Sequence, residues 1–565
     1  GTLKLGSAFV PAAGQSIPTL TTLNVNNGTL DLNGNTVIAG DLSSHRAPSS
    51  WSVVSNLGAV IDNTSVAPVT LYVGGGATSG TSAQGGSVAY AGVIQNTGGA
   101  LTLVKQGGGT LSLVSPMTYS GPTIVSGGTL QFWNNATFAS TTVAVNYNST
   151  LSVDNSGTAN NNDRIPDAAT VTLTGGTLTY QGQPCGVSTE TFATLALASG
   201  HDIVNVNNGI NGLSVLSVGN LTRSPGATVY FNAIGQPGLA QTYGQFLMGS
   251  LNGVAVTDGQ LLPPWMVYNA TDYVIYRTGG NPSLPAGVEA FVNAGSSSGS
   301  GGPAYATQYL PGANTPLAAG LLVSGAIANF QGNAASSVVL AAGLNTVGRL
   351  RVGGGYTIDV NFQNATDTLQ LEQGGILRSN NANNTTWGAT ANTGVITAGT
   401  AASVGVTELV LYAHQGTETF NAAIKDTKDT VVGGAGTVSF TKGGGGNVTF
   451  GGTMTYTGGT TINTGTLTLN AGGSMVGDIT LNYSNLTETS AQQIATNTNL
   501  VQNNGGTITL VGTNTIASLL MTGTGVASNG QVTGGTLIVT GSVTYKGLTG
   551  GLVAYSDTLS NIPYL

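Results

Sequence analysis

The sequence predicts an all-β protein whose strands stack as a parallel β-solenoid, and three observations carry this prediction. Glycine supplies 88 of the 565 residues, while only 13 residues are basic and 21 are acidic. Charged residues make up 6% of the chain, against about 25% in an average globular protein, so most of the strong helix formers are missing. Short segments alternate apolar and polar residues, which is the pattern of a half-buried strand. Gly-Gly and Asn-Gly pairs, which are turn signals, separate these segments.

The alternating segments recur along the chain. Residues 28–34 form one, residues 170–180 hold two in succession, and residues 464–470 and 505–511 form others. Threonine fills many of the polar positions and suits the outer face of a strand because it is β-branched. The turns recur too often for an immunoglobulin-like sandwich, so stacked coils of about 20–25 residues fit better. Weak helical periodicity occurs only at 317–329 and 487–496.

An internal repeat supports the stacked arrangement. Residues 105–132 align without gaps to residues 442–469, and 12 of the 28 aligned positions are identical. A third, truncated copy covers residues 534–547. Apolar positions persist across the copies, as a stacked core requires. We therefore predict that the persistent apolar and tyrosine positions pack inside the stack: Leu111, Leu113, Tyr119, Leu130, Val448, Phe450, Tyr456, Leu467, Leu537, Val539 and Tyr545.

The motif has a lysine, a glycine run, a short strand, then T-Y-x-G-x-T and G-T-L-x-L. It resembles the autotransporter-associated β-strand repeat of bacterial passenger domains. The flanking segments 88–96 and 265–276 resemble the same proteins. The resemblance implies an exported β-solenoid at the cell surface or outside the cell. It implies no catalytic residue, because the motif is a folding unit.

A Pro-, Gly- and Ser-rich stretch divides the chain. Residues 277–304 read equally well as a linker and as a long loop of a solenoid. We therefore predict a β-solenoid module at 1–276 with the first repeat, and a second module at 305–565 with the second and third repeats.

Composition argues against several partners and cofactors. A net charge of −8 is unsuited to binding nucleic acid, and no apolar run reaches the ~18 residues of a membrane helix. The three histidines are far apart and there is one cysteine, Cys185, so no metal-ligand spacing is present. We predict no cofactor and no transmembrane segment.

Two clusters of charged residues are candidate catalytic sites, because polysaccharide-cleaving β-helices use paired carboxylates. Residues 163–167 contain Asp163, Arg164 and Asp167, and residues 425–429 contain two lysines and two aspartates. A polar turn explains the first cluster and a solvated loop explains the second. The prediction is that the protein is not an enzyme.

The function predicted first is a structural subunit of an extracellular fibre or surface coat that binds copies of itself. The open edge of a solenoid end can accept a strand from another chain. Residues 1–10 are predicted to form such an edge strand, with Leu3, Leu5, Phe9 and Val10 as the assembly residues. The alternative is a monomeric passenger adhesin that binds glycans or surfaces through its tyrosines or its loops. The remote alternative is a polysaccharide-cleaving β-helix enzyme.

Overall fold

In a computed structural model, the chain folds as an all-β solenoid, which confirms the predicted fold class. The strands form two successive stacks of coils, stack one from β1 to β26 and stack two from β27 to β53. Within the described part of the chain, the one helical segment is a single 3-10 turn, Thr427–Asp429. The described residues are 1–7, 22–44, 58–74, 88–232, 244–278, 287–290, 307–309, 317–318, 320–331, 336–353, 356–379, 383–523, 530–546 and 558–559.

Stack one contains short strands near the start of the chain and longer ones near its last coils. The strands are β1 Thr2–Lys4, β2 Thr22–Asn24, β3 Gly28–Asp31, β4 Val37–Ala39, β5 Asp41–Ser43, β6 Ala59–Asp62, β7 Val69–Val73, β8 Val88–Tyr90, β9 Val93–Ile94, β10 Leu101–Lys105, β11 Thr110–Leu113, β12 Thr123–Val125, β13 Gly128–Trp133, β14 Thr142–Val145, β15 Ser149–Asp154, β16 Thr170–Thr174, β17 Thr177–Gln181, β18 Val187–Ser199, β19 His201–Asn207, β20 Leu213–Arg223, β21 Thr228–Asn232, β22 Gly244–Leu251, β23 Val254–Ala255, β24 Met266–Tyr268, β25 Asp272–Arg277 and β26 Gly287–Ala290.

Stack two has the reverse distribution, with its longest strands in its first coils. The strands are β27 Thr307–Tyr309, β28 Ile327–Gln331, β29 Ser336–Val339, β30 Leu344–Gly353, β31 Ile358–Asn361, β32 Thr368–Arg378, β33 Thr385–Trp387, β34 Val395–Ala398, β35 Val406–Ala413, β36 Thr417–Phe420, β37 Ala423–Ile424, β38 Thr437–Gly443, β39 Asn447–Phe450, β40 Thr453–Met454, β41 Thr460–Asn463, β42 Thr466–Leu469, β43 Ser474–Met475, β44 Ile479–Asn482, β45 Asn485–Glu488, β46 Asn499–Asn503, β47 Gly506–Thr509, β48 Thr513–Ile516, β49 Ser518–Thr522, β50 Gly530–Thr533, β51 Thr536–Val539, β52 Val543–Lys546 and β53 Thr558–Leu559.

Each stack is built on two long sheets. In stack one these sheets run from β4 to β23 and from β8 to β26, and the first coils add the sheet β1-β3-β6-β9 and the pair β2-β5. In stack two, one sheet runs from β27 to β52 and faces stack one, so we call it the contact sheet. The other runs β29-β31-β33-β36-β39-β42-β45-β47-β50-β53, and we call it the outer sheet. The pairs β40-β43 and β48-β51 form a third, narrow face.

Coil length varies with the loops between strands. Within the repeats the step is short: Leu111 pairs with Leu130, 19 residues further along the chain. The longest steps lie outside the repeats, and Phe231 pairs with Tyr268, 37 residues later. The expected range of about 20–25 residues therefore holds only for the simplest coils.

The core of each stack consists of columns of inward-facing side chains. Leu111, Leu130, Leu151 and Leu178 pair in succession and are all fully buried. Each buried leucine contributes about 1.5–3 kcal/mol relative to an exposed one, so the columns dominate the stability of the stack. Apolar–polar alternation in the sequence follows directly from this inward and outward alternation.

Stack two folds back against the last coils of stack one. The Tyr273 hydroxyl donates a 2.9 Å hydrogen bond to the Leu350 carbonyl, and Arg223 makes two hydrogen bonds of 2.6 and 2.8 Å to Glu408. As residue numbers increase in stack two, the partners in stack one move from the 262–275 region back to 201–230. A separate apolar cluster fills this interface: Val267, Ala270, Tyr273, Ile275, Ile327, Leu377 and Tyr412.

The last coils of stack one differ from the rest because their strands pair in antiparallel fashion. β23 pairs with β22, β25 with β24, and β26 with β25, all antiparallel. β26 lies inside the 277–304 stretch that was predicted as a linker or loop; most of that stretch is outside the described residues. The division of the chain into modules at 1–276 and 305–565 stays a prediction.

Two local expectations differ from the structure. The weak helical patterns at 317–329 and 487–496 correspond to no helix, since β28 and β45 begin or end there.

The third repeat copy is not equivalent to the first two. Its strand β51 pairs with β48 on the narrow third face, whereas β11 and β39 lie in long sheets. Among the described residues, no helix has the length and apolarity needed to cross a membrane.

Candidate functional site at the first coil

The first coil carries the predicted assembly edge. β1 pairs in parallel with β3, and Leu3 stands in register with Leu30, Ile61 and Ile94. The last three members of this column are 8%, 0% and 0% exposed, whereas Leu3 is 66% exposed. Leu3 has the position of a core residue, and its exposure arises because no described strand covers β1 on its other side.

A groove opens beside Leu3 at the end of the core. The groove is open to solvent and has a volume of about 430 Å³. On its other side lies Leu23 of β2, which pairs with the fully buried Leu42. Its lining mixes apolar side chains with asparagine, threonine and glycine: Gly1, Thr2, Leu3, Leu23, Asn24, Val25, Asn26, Asn27, Gly28, Thr29 and Leu30.

Polar contacts hold β1 in place. The Lys4 ammonium lies 3.3 Å from the Asp31 carboxylate, which accepts hydrogen bonds from the Thr64 hydroxyl at 2.7 Å and from the Asn33 N–H at 2.9 Å. Burial acts to raise the pKa of Asp31, but these hydrogen bonds outweigh it and the pKa is lowered. One coil further on, Asp62 accepts bonds from Thr97 in the same way. The edge is therefore a fixed strand with an ionised carboxylate behind it.

The other predicted assembly residues have different positions. Leu5 is half-buried and packs against the core of stack one, and its N–H donates to the Asp31 carbonyl at 2.9 Å. Phe9 and Val10 lie outside the described residues.

Nearly all of the predicted packing residues of the repeats are inside. Eight are fully buried, Leu537 is 2% exposed and Val539 packs against the core of stack two. Tyr545 is the exception, because it is 46% exposed and lies within β52. Tyr119 and Tyr456 instead precede their strands β12 and β41, where the chain turns into the core. The similarity of the third copy therefore does not extend to this position.

The tyrosines of the first two copies make the same polar contact. The Tyr119 hydroxyl lies 2.7 Å from the Thr123 hydroxyl, and Tyr456 contacts Thr460 in the same manner. The glycine two residues after each tyrosine has no room for a side chain: a Cβ at Gly121 would lie 2.3 Å from a backbone carbonyl oxygen. The T-Y-x-G-x-T motif thus encodes a tight corner of the coil.

The sequence reasoning missed the role of the motif's first lysine. Lys105 is fully buried, and its ammonium donates hydrogen bonds of 2.8–2.9 Å to the carbonyls of Gln106, Gly107 and Gly127. Lys442 is equally buried and donates to carbonyls of its own glycine-rich corner and the next. The recurrence of a lysine before a glycine run was the available signal, since flexible glycines leave backbone carbonyls without strand partners.

The glycine-rich corners also change the acidity of these lysines. Burial lowers the pKa of Lys105 to about 7, with Asp41 acting in the opposite direction. Burial lowers the pKa of Lys442 to about 7 as well. Both lysines support the coil from inside and are not exposed to a ligand.

The first acidic cluster surrounds a buried arginine. Arg164 is fully buried and donates to the Asn155 amide oxygen at 2.7 Å and to three backbone carbonyls, while Glu190 accepts the Arg164 N–H at 3.0 Å. Burial raises the pKa of Glu190 to about 7. Asp163 and Asp167 are both exposed on either side of this anchor. The arrangement explains the cluster as a structural turn.

The second cluster has a structural member too. Asp426 is fully buried and accepts the N–H groups of Val438 at 2.7 Å and Thr457 at 3.0 Å. Lys428, which is largely exposed, pairs with Asp426 at 3.4 Å and Asp429 at 2.7 Å. In the described part of the chain, no group of three or more His, Cys, Asp or Glu side chains is arranged to hold a metal ion.

A comparison with protein families identifies the repeat. The family model of the passenger-associated-transport-repeat matches residues 103–132 and 440–469, which contain the two aligned segments 105–132 and 442–469. The resemblance to passenger-domain repeats is therefore confirmed for the first two copies. These repeats indicate a passenger-type domain of an autotransporter and with it a secreted or surface location. Comparison with curated proteins and with solved structures gives no match.

Proposed function

We propose that this passenger-type chain is a non-enzymatic structural subunit of an extracellular fibre or coat, and that β1 of one copy accepts a strand of another. The observation that carries the proposal is the column Leu3–Leu30–Ile61–Ile94, which ends in a leucine that is 66% exposed. An edge strand offers backbone hydrogen bonds, and the groove beside it offers room for the incoming side chains.

The charge distribution supports self-association. Four basic side chains (Lys105, Arg164, Arg378 and Lys442) are fully buried, and three further arginines make contacts between the stacks. Ten of the 21 acidic residues are buried as well, so few charges of either sign remain on the surface to repel another copy. The exposed positions of Asp163 and Asp167 around a structural arginine support the non-enzymatic part of the proposal.

Negative-stain electron microscopy of the full chain over a dilution series tests the proposal. We expect filaments or sheets that lengthen with concentration. Leu3→Glu should shorten or abolish them, because a carboxylate cannot enter an apolar column without a large desolvation cost.

Val66→Glu is the matched control, since Val66 is 93% exposed on a loop two coils away and belongs to no column. Isolated particles at every concentration would overturn the proposal and favour a monomeric adhesin. Assemblies that respond equally to both substitutions would show that β1 is not the acceptor.

A further inference from the structure

The outer sheet of stack two carries one outward-facing threonine per coil over seven successive coils. Neighbouring members are direct partners in the parallel ladder, so the hydroxyl and methyl groups recur at the strand spacing of about 4.8 Å. All are partly exposed except Thr449, which is 9% exposed. We call this set the threonine column; its members are Thr386, Thr419, Thr449, Thr468, Thr487, Thr509 and Thr533.

A second column of small polar residues runs beside the first. Its members precede the threonines by two residues on the same strands and face outward too, at about 6.6 Å along the strand. The two columns together form a regular grid in two directions, which we call the polar grid. The second column consists of Thr417, Asn447, Thr466, Asn485, Thr507 and Gln531.

The polar grid is held rigidly. Threonine has a restricted χ1 because it is β-branched, so identical neighbours adopt the same orientation. Side-chain hydrogen bonds tie adjacent coils: the Thr466 N–H donates to the Asn447 amide oxygen at 2.9 Å, and the Thr507 N–H donates to that of Asn485 at 2.7 Å.

The polar grid is uncharged and uncovered by stack one. The outward positions of β36, β39, β42, β45, β47 and β50 hold only threonine, asparagine and glutamine, while Glu418 and Glu488 on the same strands face inward and are buried. The interface with stack one uses the contact sheet, through residues such as Glu408 and Asn463. A neutral face of this kind fits an uncharged partner and gives no anchor for an acidic or basic one.

We propose that the polar grid binds the surface of an ice crystal. Its two repeat distances lie close to repeats of the ice lattice, so hydroxyls and amides can hold water molecules in lattice positions while the methyl groups fill the gaps between them. Water held by several fixed polar groups is part of the binding surface. A polysaccharide chain repeats in one direction and is usually held by aromatic rings, and the polar grid contains none.

Incorporation into growing ice tests the proposal. The full chain is labelled with a fluorophore at Cys185, which is exposed in stack one, and ice is grown slowly from the solution on a cooled probe. We expect the wild-type protein to be enriched in the ice fraction. The double variant Thr468→Lys/Thr487→Lys should lower the incorporated fraction about tenfold or more, because two bulky charges interrupt the centre of the grid.

The double variant Thr150→Lys/Thr177→Lys is the matched control. Thr150 and Thr177 are also outward-facing neighbours on adjacent coils, but in stack one. This control should be incorporated like the wild type, and thermal melts should show that both variants fold. The milder Thr468→Ser/Thr487→Ser variant keeps the hydroxyls and should give an intermediate loss.

Three results would overturn the proposal. The first is a wild-type protein that stays in the liquid, as an ordinary soluble protein does. The second is equal incorporation of the grid variant and the stack-one control. The third is binding of the wild type to crystalline cellulose or chitin without enrichment in ice, which would assign the grid to a polysaccharide.

Discussion

The two repeat copies, 103–132 in stack one and 440–469 in stack two, keep the same buried contacts in different surroundings. In both, a buried lysine donates to backbone carbonyls of a glycine-rich corner, and a buried tyrosine contacts the threonine four residues later. Their strands continue into neighbouring coils at the same short step. The repeat therefore encodes the geometry of a coil.

The surroundings of the two copies differ. Ser120 in the first copy is held by the amide oxygen of Asn96, whereas the equivalent Thr457 is held by the buried carboxylate of Asp426. The second copy also contacts stack one, where Asn463 donates to the Gly226 carbonyl at 2.6 Å. One folding unit is thus used once in a free coil and once in an interface.

The largest expected effect on the free energy of unfolding distinguishes the first two repeat copies from the third. Tyr119→Ala and Tyr456→Ala should each lower the free energy of unfolding of their stack by about 3–5 kcal/mol, because each leaves a cavity in a packed core. Tyr545→Ala should change it by no more than about 0.5 kcal/mol, since Tyr545 is 46% exposed. Urea denaturation followed by tryptophan fluorescence measures all three, since Trp265 is buried in stack one and Trp387 in stack two. A similar loss of unfolding free energy in all three variants would show that the third copy packs like the first two.

The next largest effect on the free energy of unfolding is expected at the buried lysines. Lys105→Met and Lys442→Met should each cost about 1–3 kcal/mol at pH 7, because backbone carbonyls lose their donor.

The pH dependence sharpens this prediction. Burial lowers the pKa of both lysines to about 7 in the folded state, against about 10.4 in the unfolded chain. Between these values the unfolded state binds more protons, so each lysine makes the free energy of unfolding rise with pH. The free energy of unfolding of each methionine variant should therefore rise less steeply between pH 7 and 10 than that of the wild type. The exposed Lys546→Met is the control, and a wild-type slope in both core variants would contradict the prediction.

The interface around the second copy gives a smaller effect. A double-mutant cycle on Arg223→Ala and Glu408→Ala should give a coupling energy of about 1–2 kcal/mol, because the pair is bidentate and only 10% and 19% exposed. The Arg277–Asp258 pair, at 4.0 Å with an exposed carboxylate, should give no more than about 0.5 kcal/mol. Equal couplings would mean that the Arg223–Glu408 contact adds little to the packing of the two stacks.

The smallest effect is expected at the outer anchor of the first copy, and the anchor of the second copy serves as its comparison. Asn96→Ala should cost about 0.5–1 kcal/mol, because it removes a partly exposed hydrogen bond to Ser120. Asp426→Ala should cost more, about 1–3 kcal/mol, since the carboxylate is buried and accepts bonds from Val438 and Thr457. Thermal melts of the two variants compare them directly. If Asn96→Ala lowered the stability more than Asp426→Ala, Asn96 would be the stronger of the two anchors and the prediction would be wrong.

Much of the fold could be predicted because a solenoid uses local patterns. Alternating residues such as Thr466–Leu469 identify their own inward and outward faces, and the repeat at 103–132 marks a coil by its similarity to 440–469. The candidate edge at Leu3 followed from the same alternation. Lys105 was not recognised as a packing residue, because its burial depends on carbonyls of Gly127 in the following coil.

The third repeat copy shows where similarity of sequence fails. Leu537 is buried as expected, but its strand lies on the narrow third face, and Tyr545 is exposed. The same short motif can fit a different face because a strand of four residues needs only one inward side and a turn at each end.

The sequence by itself determined that the chain is an all-β solenoid with passenger-type repeats, because strand alternation and turn residues act over a few positions. Only the tertiary structure decided that stack two folds back onto stack one. That arrangement depends on pairs such as Arg223 with Glu408 and Tyr273 with Leu350, which are far apart in the chain. It also decided that the threonines form one uncovered column, because their alignment follows from the register of successive coils and not from any single strand.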